Sequence, residues 1–107
     1  MPVGATGSFS FDPVNNISTY DNNDRIIMGL PETGQASYVD VVNCIAPEDK
    51  NRFEDLTLGC DPSLPVVRFP EIKLRNGNVI QDTHYRLFDA DGGLVRLGGY
   101  TKLVRVA

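Results

Sequence analysis

The sequence predicts a mainly β domain: a small β-sandwich or barrel with a C-terminal β-meander, one short helix and an extended N-terminal arm. Three observations support this fold class. The chain has 10 glycines and 7 prolines in 107 residues, as expected where turns are frequent. From residue 66 onward, apolar stretches recur about every ten residues with turn signals between them. The length corresponds to one domain.

The first 24 residues differ from the rest because most of them are Gly, Ser, Thr, Asn, Asp or Pro. Such a segment is too polar to form a core alone, so we expect a polar arm at 1–24 and a β-rich domain at 25–107. The arm is either a loose terminus or docks on another surface. In the second case Phe9, Phe11 and Tyr20 are the anchors, and the alternation of the two phenylalanines favours a short strand.

The segment ASYVDVVNCIA, residues 36–46, is the strongest strand candidate of the first half. Drawn as a strand, it places apolar side chains on both faces, which is typical of a central, covered strand. The apolar run before it, residues 25–30, ends at Pro31, where a turn is expected.

One helix is expected over residues 47–59. Pro47 suits the first helical position, and the acids Glu48 and Asp49 favour the positive end of a helix dipole. The range closes on a glycine, a common helix end. Residues 60–65 contain two prolines, which predict a loop.

The pair Asn76-Gly77 is the strongest hairpin signal, because both residue types tolerate positive φ. A two-residue turn at this pair places Leu74 opposite Val79. Further strands follow, and a last turn is expected at the glycine pair of residues 98–99.

Residues 89–93, DADGG, present a choice between a calcium loop and a tight turn. Asp89 and Asp91 offer carboxylates at alternate positions, but the third alternate position is Gly93 and no acid follows it. A calcium loop of the EF-hand kind requires an acid at its twelfth position. Asp and Gly explain a turn fully, so we predict a turn and no metal site.

The charges are divided unevenly along the chain, whose net charge is −4. Residues 1–60 contain nine acids and three bases, and residues 61–107 contain five acids and seven bases. This division favours association with copies of the chain or with a partner of opposite charge. No apolar run approaches the ~20 residues that span a membrane, and no signal peptide is visible.

Catalytic motifs are lacking in the sequence. His84 is the only histidine, and two cysteines sixteen residues apart, Cys44 and Cys60, form neither a zinc motif nor a disulfide framework. We expect free thiols in a reducing compartment, no enzymatic activity and no cofactor.

Four arginines fall one each on successive predicted strands: Arg75, Arg86, Arg96 and Arg105. Together they offer a basic face for an interface. A single-strand nucleic-acid surface has this outline. The sequence pI of about 4.7 counts against that function, because nucleic-acid binders are basic.

These features predict a non-enzymatic structural protein, a small subunit of a repetitive assembly such as a virus or phage particle, which it decorates or stabilises. Its partners would be copies of itself and the larger assembly, with no nucleic acid and no membrane. The three aromatic anchors and four arginines named above would form the interface. Alternatives are a carbohydrate- or peptide-binding β module and an acidic inhibitor that mimics nucleic acid. The location would be the virion or, otherwise, the cytoplasm.

Overall fold

The computed structural model describes residues 1–58 and 65–107, and its main feature is one curled antiparallel sheet, a half-barrel. The strands in these ranges are β1 (Thr6–Asp12), β2 (Ile17–Tyr20), β3 (Gln35–Ala36), β4 (Val66–Arg68), β5 (Ile72–Lys73), β6 (Val79–Phe88) and β7 (Leu94–Arg105). Their order is β3-β2-β1-β7-β6-β4, and β5 also pairs with β6. The prediction of a mainly β fold is confirmed.

The helices lie between β2 and β4 in the chain. They are α1 (Asn22–Met28), α2 (Tyr38–Val42) and α3 (Lys50–Leu58), and a 3-10 turn at Pro47–Asp49 leads into α3. The helix expected over 47–59 is therefore confirmed as far as residue 58. Residue 59 and residues 60–64 of the expected loop lie outside the described residues. Several short helices replace the single one that the sequence predicts.

The segment 36–46 is not the central strand that its apolar faces indicate. Only Ala36 belongs to a strand, and α2 follows directly. The reason is a capping box: the Ser37 hydroxyl accepts from the Asp40 amide at 3.2 Å, and the Asp40 carboxylate accepts from the Ser37 amide at 3.4 Å. Such a pair satisfies amides that the first helical turn leaves without partners.

The first 24 residues are built into the sheet, where we expected an extended arm. β1 pairs with β2 on one side and with β7 on the other, so it is a central strand. Gly7 and Phe11 on its inner face are buried, whereas Ser8 on its outer face is exposed. An antiparallel sheet can face water on one side, which is why so polar a segment can occupy a central position.

The hydrophobic core lies between the inner face of the sheet and the helices. Among its most buried members are Ile27, Ile45, Phe69, Ile72, Leu74, Ile80 and Leu103. The inner positions of β6 change character along the strand: Ile80 is followed at alternate positions by Asp82, His84 and Arg86, all buried. Alternate residues of a strand share a face, so these polar side chains point into the interior of the domain, as Ile80 does.

The hairpin at Asn76-Gly77 forms, with Gly77 at a φ of 91°, but its register differs by one residue from the expected one. Val79 pairs with Lys73 and not with Leu74. The side-chain amides of Asn76 and Asn78 both donate to the Ile27 carbonyl, at 3.1 and 3.0 Å. These bonds attach the turn to α1, a contact that local turn rules do not include.

The turn expected at residues 89–93 is confirmed as the connection between β6 and β7. One oxygen of the Asp89 carboxylate accepts from the amides of Asp91 and Gly93, at 3.0 and 2.8 Å. The Asp89 amide in turn donates to the Gly93 carbonyl at 2.9 Å. The carboxylate of Asp89 therefore closes the loop itself.

Candidate functional site

A cavity of about 40 Å³ lies inside the domain, between the sheet and the helices. A single water molecule requires about 10–15 Å³ of such space, so the cavity accommodates more than one. Five aromatic side chains contribute to its wall: Phe9, Phe11, Tyr20, Tyr38 and Phe53. They come from β1, β2, α2 and α3, so both layers of the fold enclose the space.

Asp82 and His84 form a buried pair on the β6 side of the cavity. They are 3% and 2% exposed, and His84 Nε2 lies 3.1 Å from Asp82 Oδ2. Aromatic rings surround the imidazole: the centroids of Phe9 and Phe69 lie 5.0 and 4.1 Å from its own. The side chain is therefore fixed by packing on its faces and by the carboxylate at one nitrogen.

Asp24 faces the same cavity from α1 and is 2% exposed. Its position depends on the start of that helix, where the Asp21 carboxylate accepts from the Asp24 amide at 2.8 Å. Burial raises the pKa of Asp24 from 3.8 to about 7, and the negative charges of Asp82 and Asp21 act in the same direction. The side chain of Thr101 on β7 opposes this rise.

Gly7 on β1 allows α1 to approach the sheet closely enough to carry Asp24 inward. A Cβ atom at this position would overlap the backbone nitrogen and Cα of Asp24. A glycine at this position of β1 is therefore a requirement for the site, because any side chain would displace the helix.

Several buried polar atoms of the side chains around the cavity have no hydrogen-bond partner among the described residues. They are Asp24 Oδ1, Asp82 Oδ1, His84 Nδ1 and the Tyr38 hydroxyl. An unpaired buried polar group costs about 1–3 kcal/mol, more when it is charged, and native proteins contain few of them. Each of these atoms is itself buried, so they lie behind the cavity surface, which is mainly apolar.

The aromatic residues expected as interface anchors are brought together at this cavity. Phe9, Phe11 and Tyr20 all line it, and Tyr20 donates to the Pro31 carbonyl at 2.7 Å. Their common location follows from the pairing of β1 with β2, which sets Phe9 opposite Tyr20.

The four arginines are not brought together on one face. Arg86 is buried on the inner face and donates to the Leu56 carbonyl at 2.6 Å. Arg75 and Arg96 are exposed, and the exposed Arg105 pairs with Glu71 at 3.1 Å. The predicted basic face does not form because β6 presents Arg86 inward.

Sequence reasoning missed the acidic members of the site, Asp24 and Asp82. A signal for Asp82 was available: in VIQDTHYRLF, residues 79–88, the positions that alternate with Ile80 are polar, as in a strand whose inner face is partly a site. Asp24 offers no such signal, because its burial depends on α1 packing against β1.

No protein-family profile matches the chain, and no curated protein matches it. Solved structures do. A domain of a putative light and redox sensing histidine kinase from Haloarcula marismortui aligns with a TM-score of 0.76 and 15% identity, over 95% of this chain and 91% of the other. A PAS domain from Colwellia psychrerythraea gives 0.69 and 10% identity, over 92% and 86%.

A third match is the N-terminal domain of a diguanylate cyclase with a PAS/PAC sensor, from Marinobacter aquaeolei. Its TM-score is 0.63 at 16% identity, and the alignment covers 91% of this chain and 93% of that one. Identities this low establish the fold alone. The fold is PAS-like.

The prediction of a virion subunit is wrong, and with it the expectation of capsid decoration. Two of the three chains described above are named as parts of sensing or sensor proteins, and none of the three is named as a structural protein of a particle. The same finding overturns the two alternatives, a carbohydrate- or peptide-binding module and a nucleic-acid mimic. The virion location has no support.

Within the described ranges, no helix is long and apolar enough to cross a membrane.

Proposed function

We propose that this chain is a sensor domain of a signalling protein, which binds a small ligand in its interior cavity and transmits occupancy through its sheet. The observation that carries the proposal is the cavity between the sheet and the helices, whose wall is largely apolar and includes the aromatic rings of Phe9, Phe11 and Tyr38. Small-molecule sites are typically concave and lined by hydrophobic and aromatic side chains with a few polar groups. The sensor names of the matching chains support this direction.

The paired strands β6 and β7 connect the cavity with the outer surface. Asp82 and His84 point inward. Tyr85, which directly follows His84 on β6, points outward and is 54% exposed. The Tyr85 ring lies over Gly98 of β7, where a Cβ would stand 2.7 Å from the phenol oxygen. A shift of β6 at the cavity would therefore move an exposed aromatic side chain on the other face.

We propose that the domain senses its ligand and does not catalyse a reaction. The ionisable side chains on the cavity wall are two aspartates, one histidine and two tyrosines, and the histidine is held by Asp82. We also retain the cytoplasm as the proposed location, which the free thiol of Cys44 supports because thiols persist in reducing compartments. Homo-oligomer formation stays a prediction.

The test is a fragment screen of the full chain by amide NMR, with small cationic, anionic and neutral compounds. We expect at least one class to shift the amides of Asp82, His84 and Asp24, and to shift Tyr85 on the outer face through β6. A Ser18→Phe variant should abolish these shifts, because Ser18 lines the cavity and is 7% exposed. Ser10→Phe, on the outer face of β1, is the matched control.

Two results would contradict the proposal. One is that no compound of any class shifts the cavity amides. The other is that shifts occur only on the outer face and persist in the Ser18→Phe variant, which would place binding on the surface.

A further inference from the structure

A row of buried residues crosses three strands of the sheet beneath α1. Gly7 on β1 lies opposite Thr101 on β7, and Thr101 lies opposite Asp82 on β6. Asp24 of α1 rests on this row, because a Cβ atom at Gly7 would overlap the Asp24 backbone. Residues directly opposite each other in a sheet have Cβ atoms about 4.5–5.5 Å apart. Two buried carboxyl groups, one on the helix and one on the sheet, are therefore close neighbours of Thr101.

The two carboxyl groups are not compensated equally. Asp82 has the imidazole of His84 at 3.1 Å, whereas no ion pair in the described part of the chain involves Asp24. Asp24 Oδ1 also has no hydrogen-bond partner there. A buried carboxylate without a partner is strongly unfavourable, so such a group keeps a proton instead. Accordingly, burial raises the pKa of Asp24 from 3.8 to about 7.

The other contacts that attach α1 to the domain do not titrate. Ile27 is wholly buried and Met28 is 5% exposed, so the helix is anchored by apolar packing. The side-chain amides of Asn76 and Asn78 donate to the Ile27 carbonyl. The charge of Asp24 is therefore the contribution to the attachment of this helix that changes near neutral pH.

We propose that α1 is controlled by a proton: with a proton on Asp24 it packs on the row of Gly7, Thr101 and Asp82, and loss of that proton to the solvent releases it from the sheet. A proton requires no free space, so its binding site can lie wholly behind the cavity surface. Proton sensing is a second input to the domain and does not depend on a ligand in the cavity. Release of α1 would also open the cavity wall, to which Asp24 and Met28 contribute.

Several elements bring titratable or charged groups near Asp24. They are Asp21 before α1, Arg25 on α1, Tyr20 on β2, Tyr38 on α2, Cys44 after α2, and Asp82 and His84 on β6. Burial raises the pKa of both tyrosines and of the thiol, so these three groups stay protonated between pH 5 and pH 8. Asp82 and His84 are the groups whose titration variants must separate from that of Asp24.

The size of the effect follows from linkage. The packed helix keeps its proton up to about pH 7, whereas an Asp24 side chain in water loses it near 3.8. The released form is therefore favoured about tenfold more for each pH unit between about 4 and 7. Above pH 7 both forms have lost the proton, and the balance between them no longer changes with pH.

The experiment is amide hydrogen exchange of the full chain, followed by NMR at pH 5, 6, 7 and 8. Each rate is divided by that of an unstructured peptide at the same pH. The reporters are the amides of Gly29 and Leu30, which donate to the Arg25 carbonyl at 2.9 and 3.0 Å. We expect their normalised rates to rise about a hundredfold from pH 5 to pH 7 and to level off by pH 8. The β6–β7 amides should exchange at least tenfold more slowly than these reporters at every pH.

Variants assign the proton to one group. Asp24→Asn cannot ionise, so its α1 rates should not depend on pH. Asp82→Asn removes a negative charge that raises the pKa of Asp24, so the rates should level off at a lower pH. Thr101→Val removes a side chain that lowers this pKa, so they should level off at a higher pH. Asp91→Asn, in the exposed turn between β6 and β7, is the matched control and should retain the hundredfold rise.

Three results would overturn the proposal. One is a normalised rate of α1 that does not change between pH 5 and pH 7. Another is a rise that Asp24→Asn retains and His84→Gln loses, which would assign the proton to the histidine. The third is equal protection of α1 and the β6–β7 ladder, because the helix would then be released only by unfolding of the whole domain. No cavity ligand is present in these measurements, so each result leaves the sensor proposal to its own test.

Discussion

Asp24 shows how one residue of the site depends on its surroundings. Its sequence context, DNND, is that of an exposed polar loop, yet the side chain is 2% exposed in the fold. The glycine of β1 that faces its backbone makes this burial possible. Burial then raises the pKa of the carboxyl group, whereas a surface aspartate would not be desolvated in this way.

The first prediction concerns the pH dependence of stability. The pKa of Asp24 is about 7 in the fold against 3.8 for the free side chain, so between these values the folded state binds a proton that the unfolded state lacks. The contribution of this group to stability is therefore lost as pH rises from about 4 to 7. Asp24→Asn should raise the free energy of unfolding at pH 8 by on the order of 2–4 kcal/mol, and by little near pH 4.

Urea unfolding of the parent chain and the variant at several pH values measures this difference. Asp91→Asn, which changes an exposed acid, is the matched control and should leave the pH profile unaltered. A difference between Asp24→Asn and the parent that is the same at pH 4 and pH 8 would contradict the assignment.

At the scale of elements, α2 is the segment where local and periodic signals disagree. The apolar residues on both faces of 36–46 favour a strand, whereas Ser37 followed by Asp40 is a capping pair. The structure follows the cap. α2 carries Tyr38 to the cavity. A prediction of residues 36–46 as a strand therefore misses this part of the cavity wall.

The second prediction tests the cap. Ser37→Ala removes the hydroxyl that accepts from the Asp40 amide and should lower the free energy of unfolding by about 0.5–2 kcal/mol. Val39→Ala, at a position of α2 that is 61% exposed, should change it by no more than about 0.5 kcal/mol. Chemical denaturation compares the two, and an equal effect of both would show that the cap does not stabilise the helix.

The whole molecule is held together by pairings between distant parts of the chain. β1 pairs with β7 from Thr6 opposite Lys102 to Phe11 opposite Leu97, so the first and last strands are neighbours at the centre of the sheet. The N-terminal segment is therefore part of the folding unit. Residues 6–20 contribute two strands and the aromatic side of the cavity.

The third prediction follows from this arrangement. Deletion of residues 1–24 should abolish the cooperative unfolding transition, because it exposes the edge of β7 and removes one wall of the core. Deletion of residues 1–3, which precede β1, should leave a folded domain. Circular dichroism during heating distinguishes the two, and a folded domain without residues 1–24 would mean that the segment is an arm after all.

The sequence alone determined the features that depend on neighbouring residues. The β-rich class, the helix after Pro47, and the turns at Gly77 and at residues 89–93 all follow from local conformational preferences, and all are present. The tight turn was distinguishable from a calcium loop for the same reason, since the required ligand spacing is a local property.

Only the tertiary structure decided where these elements meet. Asp24, Asp82 and His84 are separated by up to sixty residues in the chain, and they share a cavity because α1 packs on β1 while β6 turns its polar positions inward. The exposure of a side chain depends on what covers it, and in this fold the cover comes from distant segments. For that reason Phe9, Phe11 and Tyr20, which the sequence suggested as anchors on another molecule, line a cavity inside this domain.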